Sequence, residues 1–112
     1  MKIKIKNNLF FNTQKKPLLI AEISGNHSQS KKKFLDLILK SHESGADLVK
    51  IQTYEPQDLT LKSFSKGFKV RQGTWKKQYL WNLYKKAHTP FRWHKDAFCL
   101  ARKKKINLFS TP

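Results

Sequence analysis

Short apolar runs and helically spaced apolar positions alternate along this chain. Residues 17–23 (PLLIAEI) and 47–53 (DLVKIQT) have the length of buried strands. Between them Phe34, Leu37, Ile38 and Ser41 recur at helical spacing, with Ser28 or Ser30 available as N-cap and Gly45 as C-terminal stop. Residues 1–13 read as a small hairpin: KIKI alternates, Asn7-Asn8 can turn, and Leu9, Phe10 and Phe11 return. Residues 1–15 therefore form a cap, and the main domain starts at Lys16.

After the second strand, about 35 residues precede the next capped helix, long for a connection in a compact domain. Trp75, Tyr79, Leu83 and Ala87 recur every fourth residue, predicting a helix inside this excursion. Thr89-Pro90 suits an N-cap followed by a first-turn proline. Trp93, Ala97, Leu100 and Ala101 then give an apolar face, and residues 106–111 form a third strand. Strand, helix, strand, excursion, helix, strand is the order of consecutive right-handed βα units in an α/β protein.

Both early strands carry a charge. Strands covered on both faces normally read as uninterrupted apolar runs, so Glu22 and Lys50 are costly placements with a functional look. Alternation puts Leu18, Ile20 and Glu22 on one face, as it does Leu48, Lys50 and Gln52, and Asn107, Phe109 and Thr111. Ligands of parallel sheets and barrels bind beyond the carboxyl ends of the strands, where Glu22, Lys50, Gln52 and Thr111 all lie. The bland alternative is a Glu22–Lys50 ion pair that only neutralises two charges. Gln52 and Thr111 add polar groups at the same level, giving a ligand floor: Lys50 and Thr111 suit an anion, and Glu22 a sugar hydroxyl or a proton transfer. Asn26 and His27 follow in the loop after the first strand and are further candidate substrate-binding residues, the imidazole able to act as acid, donor or metal ligand, although one histidine does not define a metal site. His42, His88 and His94 have no ligand spacing with His27 and read as capping or surface residues.

The chain has 112 residues and a formal net charge of +17, from 24 Lys and Arg against 7 Asp and Glu. Only Arg71, Arg92 and Arg102 are arginine, and the lysines spread along the whole chain, so a solvated surface is a better reading than a nucleic-acid face. A small basic nucleic-acid-binding protein is the rival, with residues 75–79 (WKKQY) the one segment resembling a stacking platform. Cys99, the single cysteine, excludes an internal disulfide and reads as a buried structural thiol between Phe98 and Leu100. No apolar run reaches the length of a membrane span, and no signal-peptide pattern opens the chain, so a cytoplasmic location is expected.

The segments AEISGNHSQS, GADLVKIQTY, LYKKAHTPFRWH and FSTP resemble the N-terminal part of sialic acid synthases. EISGNH, LWNLY and AHTPFRWH are most similar to the pseudaminic acid synthase branch, with the N-acetylneuraminate and legionaminate branches as alternatives. The resemblance implies the first three βα units of a TIM (β/α)8 barrel, an incomplete barrel over residues 16–112 without the later strands or the C-terminal antifreeze-like domain. It also implies condensation of phosphoenolpyruvate with an N-acetylated amino sugar, here a 2,4-diacetamido-trideoxy hexose, releasing phosphate. Lys50 and Thr111 match phosphoenolpyruvate-binding positions, and Glu22 and Gln52 match positions facing the sugar. A homodimer and a divalent metal, Mn²⁺ or Mg²⁺, are implied for the complete enzyme. The family's metal-binding histidines lie on later strands, so this segment alone is expected to bind no metal tightly and to be inactive. Arg92 departs from the pattern, standing where the family often has a capping glutamate.

Overall fold

A computed structural model describes residues 1–6 and 9–112. The terminal hairpin pairs β1 (Lys2–Lys6) with β2 (Leu9–Asn12), antiparallel, as the alternation predicts; the Asn7-Asn8 turn lies outside the described residues. Its strands touch little else, and the radius of gyration is 16.7 Å, against roughly 13 Å for a compact chain of this length.

The main unit is a three-stranded parallel sheet in the order β3 (Ile20–Glu22), β4 (Leu48–Gln52) and β5 (Leu108–Thr111). Strands are added in chain order, so both crossover helices, α1 (Lys31–Glu43) and α4 (Arg92–Lys104), fall on one face. There Phe34 and Ile38 of α1 and Trp93, Ala97 and Ala101 of α4 meet Ile23, Val49, Ile51 and Ile106, all buried. The two alanines let α4 approach the sheet closely. Ser30 caps α1, its hydroxyl accepting from the Lys33 N–H at 3.3 Å, and Gly45 ends it at φ 96°.

The opposite face is open. Ile20 is 49% exposed, and Glu22 and Lys50 are exposed and half-buried on the same side, where only Leu48 is buried, so this face of the strands is largely uncovered in this chain. β3 is also shorter than the apolar run, although Asp47 and Leu48 N–H both donate to the Leu19 carbonyl and extend the pairing.

The excursion holds α2 (Pro56–Leu59), a single 3₁₀ turn (Lys66–Phe68) and α3 (Leu80–Ala87). The predicted excursion helix is thus only half present. Lys77 adopts φ 72° and Tyr79 is extended, bridging Lys69, so a tight turn replaces the first half of the fourfold pattern and the helix begins at Leu80. Thr89 does not cap α4 either. That helix has no side-chain cap among the described residues: Thr89 is buried at 1% exposure with its hydroxyl turned to His27. Cys99 is exposed, contrary to expectation: it lies about 200° around the helix from Ala97, where Arg102 Nη2 donates to its sulfur at 3.2 Å.

Candidate functional site

Parallel register sets the floor of the site. Glu22 pairs with Lys50 and Lys50 with Phe109 in one row; Gln52 pairs with Thr111 in the next, nearer the carboxyl ends. The two rows are roughly 7 Å apart along the strands. Lys50 Nζ lies 2.8 Å from Glu22 Oε2, so the predicted ion pair forms. Both side chains keep about a third of their surface, which leaves the ammonium free to direct its other protons elsewhere. Glu22 is held by its own strand end, Oε1 accepting from the Ser24 N–H at 3.2 Å.

The loop after β3 is conformationally costly. Ser24, Ser28 and Gln29 have φ of 49°, 51° and 57°, the left-handed region that side chains other than glycine rarely occupy. Three contacts fasten this loop to the end of the excursion. A Cβ at Gly25 would stand 2.8 Å from the Ala87 Cβ and 2.9 Å from its backbone, so glycine is required for the approach. Gln29 Nε2 donates to the carbonyls of Lys86 at 2.9 Å and His88 at 2.7 Å.

His27 makes the third contact. It is fully buried, edge-on to Phe34 and Trp93. Its Nδ1 accepts from the Gln29 N–H at 3.1 Å, which places the proton on Nε2, donating to Thr89 Oγ1 at 3.2 Å. Burial, then the neighbouring His88 and more weakly Lys33, hold this imidazole below its ordinary range, while the Ala87 carbonyl works the other way. Both ring nitrogens are engaged, and the ring does not face the open mouth.

A second polar chain closes the helix-covered side of the sheet end. Ser110 Oγ donates to the Ile51 carbonyl at 3.3 Å, Thr53 Oγ1 contacts Ser110 Oγ closely, and His94 Nε2 lies 2.7 Å from Thr53 Oγ1. His94 is therefore neither a cap nor a surface residue; its Nδ1 is buried without a partner among the described residues. His88 does cap, with Nδ1 on the Lys85 carbonyl at 2.8 Å.

Beyond the floor lies a cavity of about 750 Å³. Asn26 and Gln52 line it, together with Tyr54, Trp75, Gln78 and Tyr84, four residues that strand-end reasoning did not single out as a group. Tyr54 and Tyr84 meet edge to face at 6.2 Å, and burial, then Tyr84, raises the Tyr54 hydroxyl above its usual range. A smaller cavity of about 490 Å³ shares Gln52, Tyr54 and Tyr84 and reaches Thr111. The structure thus groups Asn26, Gln52 and Thr111 around two cavities with shared lining residues, sets Glu22 and Lys50 on the open face of the sheet, and buries His27 behind the loop.

The model of the NeuB family matches residues 37–112. The chain belongs to the NeuB family. It is 44% identical over 102 residues to the pseudaminic acid synthases of two Campylobacter jejuni strains, and 43% identical over 96 residues to that of Helicobacter pylori. The first pair covers 91% of this chain and 30% of each relative; the Helicobacter match covers 86% and 28%. This NeuB-family chain therefore spans about a third or less of the length of those relatives. The spore coat polysaccharide biosynthesis protein SpsE of Bacillus subtilis has a similar fold, with a TM-score of 0.66 at 21% identity, over 100% of this chain and 28% of that one.

The divalent metal implied by the family resemblance does not fit the residues described. Among them no three His, Cys, Asp or Glu side chains converge, and His27 has no free nitrogen to offer. No described helix is long and apolar enough to cross a membrane.

Proposed function

We infer that this chain supplies the phosphoenolpyruvate floor and one wall of the sugar site of a pseudaminic acid synthase, a cytoplasmic enzyme. In this reading residues 16–112 are the first three βα units of a TIM barrel, and residues 1–15 an appended hairpin. One observation carries it: Glu22, Lys50, Gln52 and Thr111 stand in two adjacent rows at the carboxyl ends of three neighbouring parallel strands. The 44% identity to named pseudaminic acid synthases supports the choice of branch.

Lys50 and the Thr111 hydroxyl hold the carboxylate and phosphate of phosphoenolpyruvate. The Lys50 ammonium neutralises charge, and Thr111 donates a hydrogen bond. Glu22, already fixed by Lys50 and the Ser24 N–H, faces the sugar with Gln52 and orients a hydroxyl or carries a proton. Asn26 contributes from the loop. His27 acts as a positioning residue, holding the loop to Thr89 rather than touching substrate. The reaction joins phosphoenolpyruvate C3 to the sugar aldehyde carbon, adds water at C2 and expels phosphate, giving a nine-carbon 2-keto acid.

The reading is tested by a chimera in which this chain replaces the matched residues of the Campylobacter jejuni relative. Phosphate release that requires both phosphoenolpyruvate and the diacetamido sugar is expected. A soluble, folded chimera that releases no phosphate with any N-acetylated sugar would refute it.

A further inference from the structure

We propose that the excursion between β4 and α4 builds a selectivity wall, in which Trp75, Tyr54 and Tyr84 recognise the apolar substituents of the sugar and Gln78 one of its amides. The proposal rests on the reading above that the site takes an N-acetylated amino sugar.

Chemistry of the lining comes first. Side chains of Asn26, Gln29, Gln52 and Gln78 are carboxamides, Ser24 and Ser28 add hydroxyls on the loop side, Tyr54, Trp75, Leu83 and Tyr84 supply apolar surface on the excursion side, and Lys86 is the single charged residue among those described. Among the described residues no carboxylate lines the cavity, so none of them neutralises a cationic ligand there. Carboxamides can both donate to and accept from an acetamido group, and aromatic faces accept methyl and ring C–H groups while stranding hydroxyls without partners. A neutral, amide-bearing, partly deoxygenated sugar satisfies this lining; a fully hydroxylated one leaves polar groups against Leu83 and the rings.

Placement comes second. Glu22 and Lys50 do not line this cavity, whereas Gln52, two residues further along β4, does. A sugar whose reacting end lies over the floor therefore extends its far substituents into the wall, which is the part that distinguishes one sugar from another.

The wall is also built rather than incidental. Trp75 is 53% exposed at the tip of a turn that the backbone fixes: Lys76 N–H donates to Gly73, Gln78 N–H to Trp75, and Val70 and Lys77–Gln78 exchange bonds of 2.9 and 3.0 Å. Gly73 and Lys77 supply the left-handed φ values of 78° and 72° that this turn needs. At the other side α3 is fastened to the loop after β3 through Gly25 and Gln29.

Saturation-transfer NMR on the full 112-residue chain, with 2,4-diacetamido-trideoxy hexose and N-acetylmannosamine as probes, tests the wall. The diacetamido sugar is expected to bind about tenfold or more tighter, the range that one or two apolar groups confer. Its acetamido and C-methyl protons should take up the most saturation. Trp75→Ala should bring the two affinities within about twofold without weakening N-acetylmannosamine, and Gln78→Ala should weaken only the diacetamido sugar. Trp75 is half exposed, so the far-UV circular dichroism that reports secondary structure should be retained. Equal affinities, or equal losses for both sugars in Trp75→Ala, would overturn the wall while leaving the sugar site standing. Binding of neither sugar by the folded chain would overturn the wall together with the sugar-site reading.

Discussion

Replacing His27 with alanine should release the loop that carries Asn26 and faces the cavity. The substitution removes the acceptor for the Gln29 N–H and the donor to Thr89 Oγ1, and deletes a ring packed edge-on against Phe34 and Trp93. One buried and one partly buried hydrogen bond and a residual cavity together amount to about 3–5 kcal/mol. That corresponds to roughly two to four powers of ten in the population of open states. Hydrogen exchange followed by mass spectrometry, on peptides covering residues 23–30 and 86–93, reads this directly.

The same site gives a pH arm. The folded imidazole titrates below its unfolded value of 6.5, chiefly through burial, so the unfolded chain binds more protons in that window. The stabilisation is present above about pH 6.5 and declines as pH falls from there toward the folded value. The protonated ring would also set an N–H against the Gln29 N–H. Protection of the loop, corrected for intrinsic exchange, should fall between pH 7.5 and pH 5 in the parent chain and stay flat in His27→Ala. A loss below about 1 kcal/mol in the variant, or equal pH dependence in both, would refute the assigned role.

Gly25→Ala should destabilise by about 1–3 kcal/mol, because its Cβ meets Ala87 backbone as well as side chain; Ala87→Gly should recover only part, read by urea titration. Phe34→Ala, at a fully buried position, should cost about 3–5 kcal/mol by the same titration, whereas Cys99→Ala should change stability by less than about 0.5 kcal/mol. The native Cys99 thiol should react with an aromatic disulfide reagent without prior unfolding; protection until the chain unfolds would contradict its placement.

The βα order, the hairpin and the faces of β3, β4 and β5 were legible because period-two and period-four patterns survive wherever one side of an element is buried. Phe34 with Ile38, and Trp93 with Ala97 and Ala101, mark those faces directly. Periodicity misled where a long-range contact overrode it. The spacing from Trp75 to Ala87 is helical, yet left-handed Lys77 and the Lys69–Tyr79 bridge keep the first half in a turn. Thr89 carries the local signature of an N-cap, but its hydroxyl goes to a ring 62 positions earlier. The strand-end row of Glu22 and Lys50 was readable because charges in apolar strands stand out. The cavity lining was not, since Tyr54, Gln78 and Tyr84 look ordinary until the excursion folds them beside Gln52.

If phosphoenolpyruvate is held by Lys50 and Thr111 and the sugar by Glu22 and Gln52, the Campylobacter chimera should show a kinetic split. Lys50→Ala is expected to raise the KM for phosphoenolpyruvate roughly ten- to hundredfold, the worth of one hydrogen bond to a charged group, with the KM for the sugar little changed. Glu22→Gln should lower kcat with the sugar while phosphoenolpyruvate still binds. Near-parental kinetics in both variants would contradict the account and leave Glu22 and Lys50 as a structural ion pair alone.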